Sequence, residues 1–534
     1  MVSNDSLEKE RRAVELTNLG RLQEAEEIYR ELILIDPCNY IAYANLAVIC
    51  GIQKRFEELI ELLEEALRLK PNFPEAHNSL GNAYKAQGDL SAAVVSYRKA
   101  LQLKPSFPEA YNNLGVALKE QGDFAAAIAS YQQALWLKPN YSEALNNLGN
   151  AFMRKGDLTA AIHVYKSALK LKPRSPGFFS SLGVALHALG DLAAAIKSHN
   201  KALVLNPGFS EAKYSLSLSM LLSGDYENGW KYYEYRFEAN NNALQFPFSE
   251  KCKRWNGEDL AIDSRLYIVT EQGLGDIIQF IRFVPFLRDQ GVNVSLCAPS
   301  RLGPLIQSSG IDPLPQDPDQ LSHLADGFWT PLLSIPRHLE VSPTNPIIVD
   351  PYLSSTPELN AKWKDVFAAC GRPVVGINWM GNRDDSAKKH RNIPAQEFRK
   401  ITAVEPADFL CLQRGVELSD VQCQALKLTS NMFQEEVMRL VNSDMAKDFL
   451  EYTAVIANCD LVVTTGSTVA HIASAMGIPT WVLLPRVPDW RWGLAGDASF
   501  WYPSMRLFRQ KKHGDWSEVV DQVVVALREY LDVA

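Results

Sequence analysis

Three short stretches hold residue types that bind and react. The first, Glu271-Gln272-Gly273-Leu274-Gly275-Asp276, is a glycine loop between a strand-like run and a helix-like run. Glycine removes the Cβ that keeps a ligand off the backbone, and a helix start favours anions. Asp276 also stands where a helix-capping or first-turn carboxylate would stand, so the loop alone defines no reaction. The second stretch, Trp379-Met380-Gly381-Asn382, ends a strand and is followed by Lys388-Lys389-His390-Arg391. Such a cluster suits a diphosphate, and equally a solvated loop. In the third, Thr464-Thr465-Gly466-Ser467-Thr468-Val469-Ala470-His471, a strand enters a helix through small and hydroxylated residues. Their backbone N–H groups and hydroxyls can cradle phosphate oxygens, with His471 one turn inside the helix. Trp379, Trp490 and Trp492 fit a stacking role on a base or sugar as well as a place in the core.

A fourth set is periodic. Asn45, Asn113 and Asn147 share one repeat position, and Asn78, Asn112 and Asn146 the position before it. Side-chain amides donate and accept, so a ladder through Asn45, Asn78, Asn113 and Asn147 would clamp a peptide backbone of any sequence. Ser79, Ser181 and Ser215 interrupt it.

The elements that must carry these residues fall into two halves. Pro37, Pro71, Pro105, Pro139, Pro173 and Pro207 recur at one fixed spacing, as do Ala66, Ala100, Ala134, Ala168 and Ala202. Two glycine series follow the same period: Gly81, Gly115, Gly149 and Gly183, and Gly88, Gly122, Gly156, Gly190 and Gly224, with Lys54 as the exception in the second. Small residues allow paired helices to approach, and glycine permits the turn between them. Tyr97, Tyr131, Tyr165 and His199 fill the seam, which predicts that His199 is core. After Phe237 the period ends, and short β-branched runs alternate with amphipathic helices, the pattern of parallel βαβ units. Strands are predicted at Leu266–Thr270, Val292–Ala298, Val374–Trp379, Phe409–Gln413, Leu461–Thr465 and Trp481–Leu484, with one helix over Asp276–Asp289. The domain reading is a repeat solenoid over 1–240, a linker over 241–260, and Rossmann-like domains over 261–357 and 358–534.

Composition narrows the function. The chain has 534 residues, 47% hydrophobic, and a formal charge of -8. That balance argues against a broad nucleic-acid surface. Eight cysteines without a CxxC pair fit a reducing compartment rather than a disulfide scaffold. Met1–Arg12 lacks an apolar targeting core and no run reaches about 18 apolar residues, so the expectation is a cytoplasmic protein without an integral membrane segment.

Residues 6–240 resemble the tetratricopeptide repeat family, with six units and a partial seventh. Over about 260–530 the glycine loop, Gly376–Asn382, Arg391-Asn392-Ile393-Pro394, Leu412-Gln413, Asp448-Phe449 and the run to His471 resemble glycosyltransferase family 9, the heptosyltransferase-like group. Asp489-Trp490-Arg491-Trp492, Trp501-Tyr502-Pro503 and Arg506–Gln510 are similar to its tetratricopeptide-linked branch. The resemblance implies a tetratricopeptide α-solenoid followed by a GT-B pair of Rossmann-like domains, acceptor side first and nucleotide-sugar side second. It implies an inverting transfer that needs no metal and no cofactor, with a nucleotide-sugar as co-substrate and a protein or peptide acceptor in the repeat groove. By the same resemblance Asp276 is the general base and Arg391 offsets diphosphate charge. Gly275, Trp379, Gly381, Asn382, Gln413, Gly466, Ser467, Thr468 and His471 complete the donor site. Gly466-Ser467 departs from the family's Asp-Thr. A glycan or lipopolysaccharide-core acceptor, and an interaction scaffold with a decayed transferase domain, are the competing expectations.

Overall fold

The computed structural model describes residues 4–239, 252–260, 264–317, 326–349, 351–368, 371–381, 391–414 and 445–533, with the single positions 426, 437 and 440. Two compact units divide the chain, Met1–Leu189 and Gly190–Ala534, so the division falls inside the repeats.

The first unit is a series of antiparallel helix pairs, for example Pro74–Ala86 with Leu90–Leu103 and Pro108–Glu120 with Phe124–Leu137. Each second helix starts where an Asp side chain accepts an N–H three residues on: Asp89 from Ala92, Asp123 from Ala126, Asp157 from Ala160. Such a cap satisfies an otherwise orphaned amide and contributes about 1 kcal/mol. The turn before it needs left-handed backbone, and Lys54 adopts it at φ 60° where the other repeats use glycine.

The seam shows why Gly81 and Gly149 are glycine. A Cβ on Gly81 would stand 2.6 Å from the Tyr97 ring, and one on Gly149 2.4 Å from that of Tyr165. Each buried hydroxyl then needs an acceptor. Tyr97 donates to Asn82 Oδ1 and Tyr165 to Asn150 Oδ1, each at 2.7 Å. The corresponding residue for Tyr131 is Val116, and among the described residues the buried Tyr131 hydroxyl has no hydrogen-bond partner. Tyr97→Phe is therefore expected to cost about 1 kcal/mol in urea unfolding, whereas Tyr131→Phe is neutral or stabilising.

The second unit opens with helices Leu192–Leu205, Ser210–Ser223 and Tyr226–Tyr233 and the short Arg236–Ala239. His199 is fully buried there, as its place in the tyrosine series predicts. Two five-stranded parallel sheets follow. The first contains β1 (Cys252–Arg254), β2 (Arg265–Val269), β3 (Asn293–Ala298), β4 (Pro313–Pro315) and β5 (Gly327–Pro331), in the order β1-β5-β2-β3-β4. The second contains β6 (Val374–Asn378), β7 (Asp408–Cys411), β8 (Leu461–Thr465), β9 (Thr480–Leu484) and β10 (Met505–Arg509), in the order β10-β9-β8-β6-β7. Strand order reverses between β2 and β5 in the first sheet and between β6 and β8 in the second, the position where doubly wound sheets bind ligands.

Two expectations need correction. The proposed linker over 241–260 contains β1, which pairs with β5 from Cys252 opposite Gly327 to Arg254 opposite Trp329, so its end belongs to the first sheet. Three residues are too short to show a strand period. The single helix expected over Asp276–Asp289 is two, Leu274–Phe280 and Phe283–Asp289. Pro285 accounts for the break: it lacks an N–H and its ring crowds the carbonyl of Ile281.

Candidate functional site

All three chemistry-bearing stretches leave the carboxyl ends of strands that flank the two reversal points: the glycine loop after β2, Trp379–Gly381 after β6, and Gly466–Ser467 after β8. The helices that follow β2 and β8 pack together. A Cβ on Gly275 would meet His471 Cδ2 at 3.0 Å and Thr468 Oγ1 at 3.6 Å, so Gly275 serves the approach of these helices.

Asp276 lies in the first turn of Leu274–Phe280. Its Oδ2 accepts the Gly273 N–H at 3.1 Å, and its Oδ1 pairs with Arg491. Arg491, buried beside Trp490, also donates to Gln279 Oε1 at 2.8 Å and Asp489 Oδ1 at 2.7 Å. Burial works against the Arg491 charge, but Asp276 and Asp489 more than restore it and raise its pKa. Burial also penalises the Asp489 carboxylate, yet Arg491 and Arg391 hold it well below the usual range. Arg391 reaches Asp489 Oδ2 at 3.6 Å and the Gly466 carbonyl at 3.5 Å. A chain of charges thus runs from Asp276 through Arg491, Asp489 and Arg391 to the start of helix Thr468–Ala475.

At that start, Ser467 is the N-cap residue in extended backbone, and its hydroxyl lies 3.1 Å from that of Thr464. Helix geometry leaves the first-turn amides without helical acceptors. Gly466 has a packing reason: a Cβ there would stand 3.0 Å from Trp492 Nε1. Any side chain at 466, a carboxylate included, requires Trp492 to move. Gly381 N–H donates to Asn392 Oδ1 at 3.0 Å, and Met380 N–H to Gln413 Oε1 at 2.9 Å, which ties the loops after β6 and β7 to the segment carrying Arg391.

Two expected donor contacts take other roles. Trp379 is fully buried against Phe398, 6.2 Å between centroids, and belongs to the core behind the second sheet. His471 stacks on Trp492 at 5.2 Å, and its Nδ1 lies 2.9 Å from the Tyr502 hydroxyl. Burial, with Arg491 adding to it, lowers its pKa to about 3, so the ring is neutral and offers no charge to a phosphate. Asn382, Lys388, Lys389 and His390 lie outside the described residues.

The His471 shift has a measurable sign. Its stabilisation is complete above the ordinary histidine pKa of about 6.5 and is lost as pH falls toward the folded value, because the unfolded chain takes up the proton first. The thermal midpoint is expected to fall between about pH 6.5 and pH 4, less steeply in His471→Gln; part of the slope remains because burial lowers His338 to about 4.

Residues unassigned by sequence complete the surroundings. Arg236, from the last repeat helix, is 2% exposed; it donates through Nε to Glu271 Oε2 at 3.1 Å and through Nη2 to Oε1 at 2.7 Å. Burial pushes the Glu271 carboxyl up and Arg236 only partly offsets it. Trp490 meets Trp230 edge-on at 5.2 Å, so the end of the repeats is built into the walls of the site. The fully buried Arg282 donates to Tyr352 Oη at 3.0 Å and to the Trp501 carbonyl. Asp489 and Arg491 were visible only as a charged pair among tryptophans after a strand end.

In the repeats the asparagines bond to one another. Asn113 donates to Asn78 Oδ1 at 3.1 Å, Asn147 to Asn112 Oδ1 at 3.0 Å, and Ser181 to Asn146 Oδ1 at 3.4 Å. The ladder therefore links successive repeats and spends part of its amide capacity internally. Asn45 lies on helix Tyr40–Ile52 near Tyr29.

The helix pairs and their seam define tetratricopeptide repeats, and a family model described as TPR repeat matches residues 52–88, 81–122, 117–156 and 149–190. A second, Tetratricopeptide repeat, matches residues 11–38. The chain is similar to Protein FlbA of Caulobacter vibrioides, 26% identical over 345 residues, 60% of this chain and 55% of FlbA; it thus spans about half the length of that relative. It is also similar to the Hsp70-Hsp90 organizing protein of Triticum aestivum, 30% identical over 78 residues, 15% of this chain and 13% of that protein. Among solved structures, YrrB, described as a TPR protein with an unusual peptide-binding site, is 21% identical over 35% of this chain and 96% of its own, with a TM-score of 0.31. PilW, a type IV pilus biogenesis factor, is 22% identical over 39% and 96%, with a TM-score of 0.36. The repeats form a scaffold of the kind that supports protein interaction. Among the described residues no helix is long and apolar enough to cross a membrane.

Proposed function

We propose that the second unit is an inverting glycosyltransferase of GT-B layout that moves a sugar from a nucleotide-sugar to a hydroxyl on a protein held by the repeats. One observation carries this reading: the loops after β2, β6 and β8 meet at the reversal points of two parallel sheets, where a carboxylate faces a cationic frame and an open helix start. Among the described residues, Arg491 and Arg391 pair with Asp276 and Asp489 and His471 is neutral, so this frame is balanced and the Ser467 helix start adds the attraction for an anion. Arg391 and the Ser467 helix start hold the diphosphate, and Asp276 takes the proton of the attacking hydroxyl. Transfer without a metal is consistent with a frame in which arginines neutralise the leaving group.

A scaffold reading has its own support, because Asp276 is engaged by Arg491 and Trp492 occupies the space beside Gly466. Release of nucleoside diphosphate from UDP-, GDP-, ADP- and CMP-linked sugars separates the two. The enzyme reading expects slow release from one donor, faster with a protein acceptor; no release from any of them favours the scaffold.

A further inference from the structure

The repeat before Gly81 departs from the seam at all three of its positions. At the positions of Gly81, Asn82 and Tyr97, the preceding repeat carries Ala47, Val48 and Leu63. Tyr97 packs over Gly81 and bonds Asn82. Leucine is shorter than tyrosine and has no hydroxyl, so the same framework is left underfilled, with a mainly apolar lining. A pocket of about 340 Å³ opens there, lined by Ala47, Val48, Ile52, Leu59 and Leu63, with Asn82 of the next repeat on its far wall. Its lining comes mainly from first helices, the groove side of the superhelix. Val48 is 49% exposed and Ile52 55%, so the pocket is open to solvent.

The charge around it selects a partner. Residues 1–73, which hold the first two repeats, count 9 basic and 14 acidic residues, or -5. Glu64, beside Leu63, accepts from the Tyr84 hydroxyl at 3.2 Å, and Tyr84 packs on the same apolar cluster. Among the described residues, Glu57, Glu61 and Glu64 of helix Phe56–Leu69 have no ion-pair partner, whereas Glu58 and Glu65 are paired with arginines. An acidic surround repels acidic segments and attracts basic ones.

We propose that this pocket is an anchor site for a bulky apolar side chain carried on a basic, extended segment of a protein partner. The pocket supplies register and selectivity. This holds whether or not the second unit transfers a sugar.

Fluorescence anisotropy on the full chain tests it with three short labelled peptides: one central Phe flanked by lysines, its Phe→Ala counterpart, and a counterpart flanked by glutamates. Burying a Phe is worth about 1.5–3 kcal/mol, so the lysine-flanked Phe peptide is expected to bind at least about tenfold tighter than its Phe→Ala counterpart, and charge alone is expected to place it above the glutamate-flanked one. Ala47→Gly, Val48→Asn and Leu63→Tyr together rebuild the seam of the neighbouring repeat and abolish that preference. Val48→Lys, at a half-exposed position that does not threaten folding, is expected to weaken the same peptide about tenfold by opposing its lysines and narrowing the pocket mouth. Equal binding of the three peptides, preference for the glutamate-flanked one, or binding unaffected by Val48→Lys overturns the assignment. So does concentration-dependent self-association in sedimentation velocity that Val48→Lys removes, which would make a second copy of the chain the occupant.

Discussion

Asp276→Asn is expected to lower sugar transfer by about 10²–10⁴-fold while donor affinity changes little. The amide keeps the helix cap, since an Asn oxygen still accepts the Gly273 N–H that Asp276 accepts at 3.1 Å; it gives up the Arg491 pair, and Arg491 retains Asp489 and Gln279. What it removes is the basic oxygen beside the cleft. The two oxygens of Asp276 have distinct duties, one closing the helix start and one pairing with Arg491. In the proposed transfer the proton would go to the lone pairs left on Oδ1, with the Arg491 pair setting the carboxylate's orientation. Asp276→Ala should lose the cap as well and lower stability by about 1 kcal/mol, which separates the chemical loss from the structural one. An Asn variant with normal transfer, measured as sugar incorporated into acceptor, would remove Asp276 from the mechanism.

Arg236→Met is expected to destabilise the full chain by about 3–5 kcal/mol, because it leaves the Glu271 carboxylate buried without its bidentate partner. The second change Glu271→Gln should recover part of that loss, since it removes the buried Glu271 charge, while Glu234, which also pairs with Arg236, keeps Arg254. Urea unfolding of the two variants measures both effects. If Arg236→Met costs under about 1 kcal/mol, the pair is not buried as described. The same network bears on where the chain can be cut. A fragment beginning at 241 lacks Trp230, Tyr233 and Arg236, which pack on Trp490 and Glu271, whereas one beginning at Gly190 keeps them. The end of the sequence period near Phe237 marks where repetition stops, not where the second unit starts.

The repeats were legible because each side chain recurs: Gly81, Tyr97 and Asp89 state one packing rule again and again. Even the exceptions could be placed, with Lys54 in the left-handed turn and His199 in the core. Strands β2, β3, β6, β7, β8 and β9 could be read from apolar runs, while β1, β4, β5 and β10 could not: β1 and β4 have three residues each, β4 and β5 contain proline, and β10 carries two arginines. At the site, the glycine loop and the Ser467 helix start announce themselves locally. Arg491 does not, since its partner Asp276 lies 215 residues away, and Arg236 reaches Glu271 across 35. Trp379 shows the converse limit: it follows a strand end as a ligand-stacking residue would, but its ring turns into the core against Phe398. Residue type and position along a strand do not fix which side of the sheet a ring enters.

Calorimetric titration of the full chain with UDP-, GDP-, ADP- and CMP-linked sugars, repeated on Arg391→Ala, tests the central claim most directly. The expected result is saturable binding of one nucleotide class by the wild type, weakened at least about tenfold in the variant, because Arg391 carries the diphosphate charge. No heat with any donor, or binding that Arg391→Ala leaves unchanged, would contradict a nucleotide-sugar site at the meeting point of the two sheets.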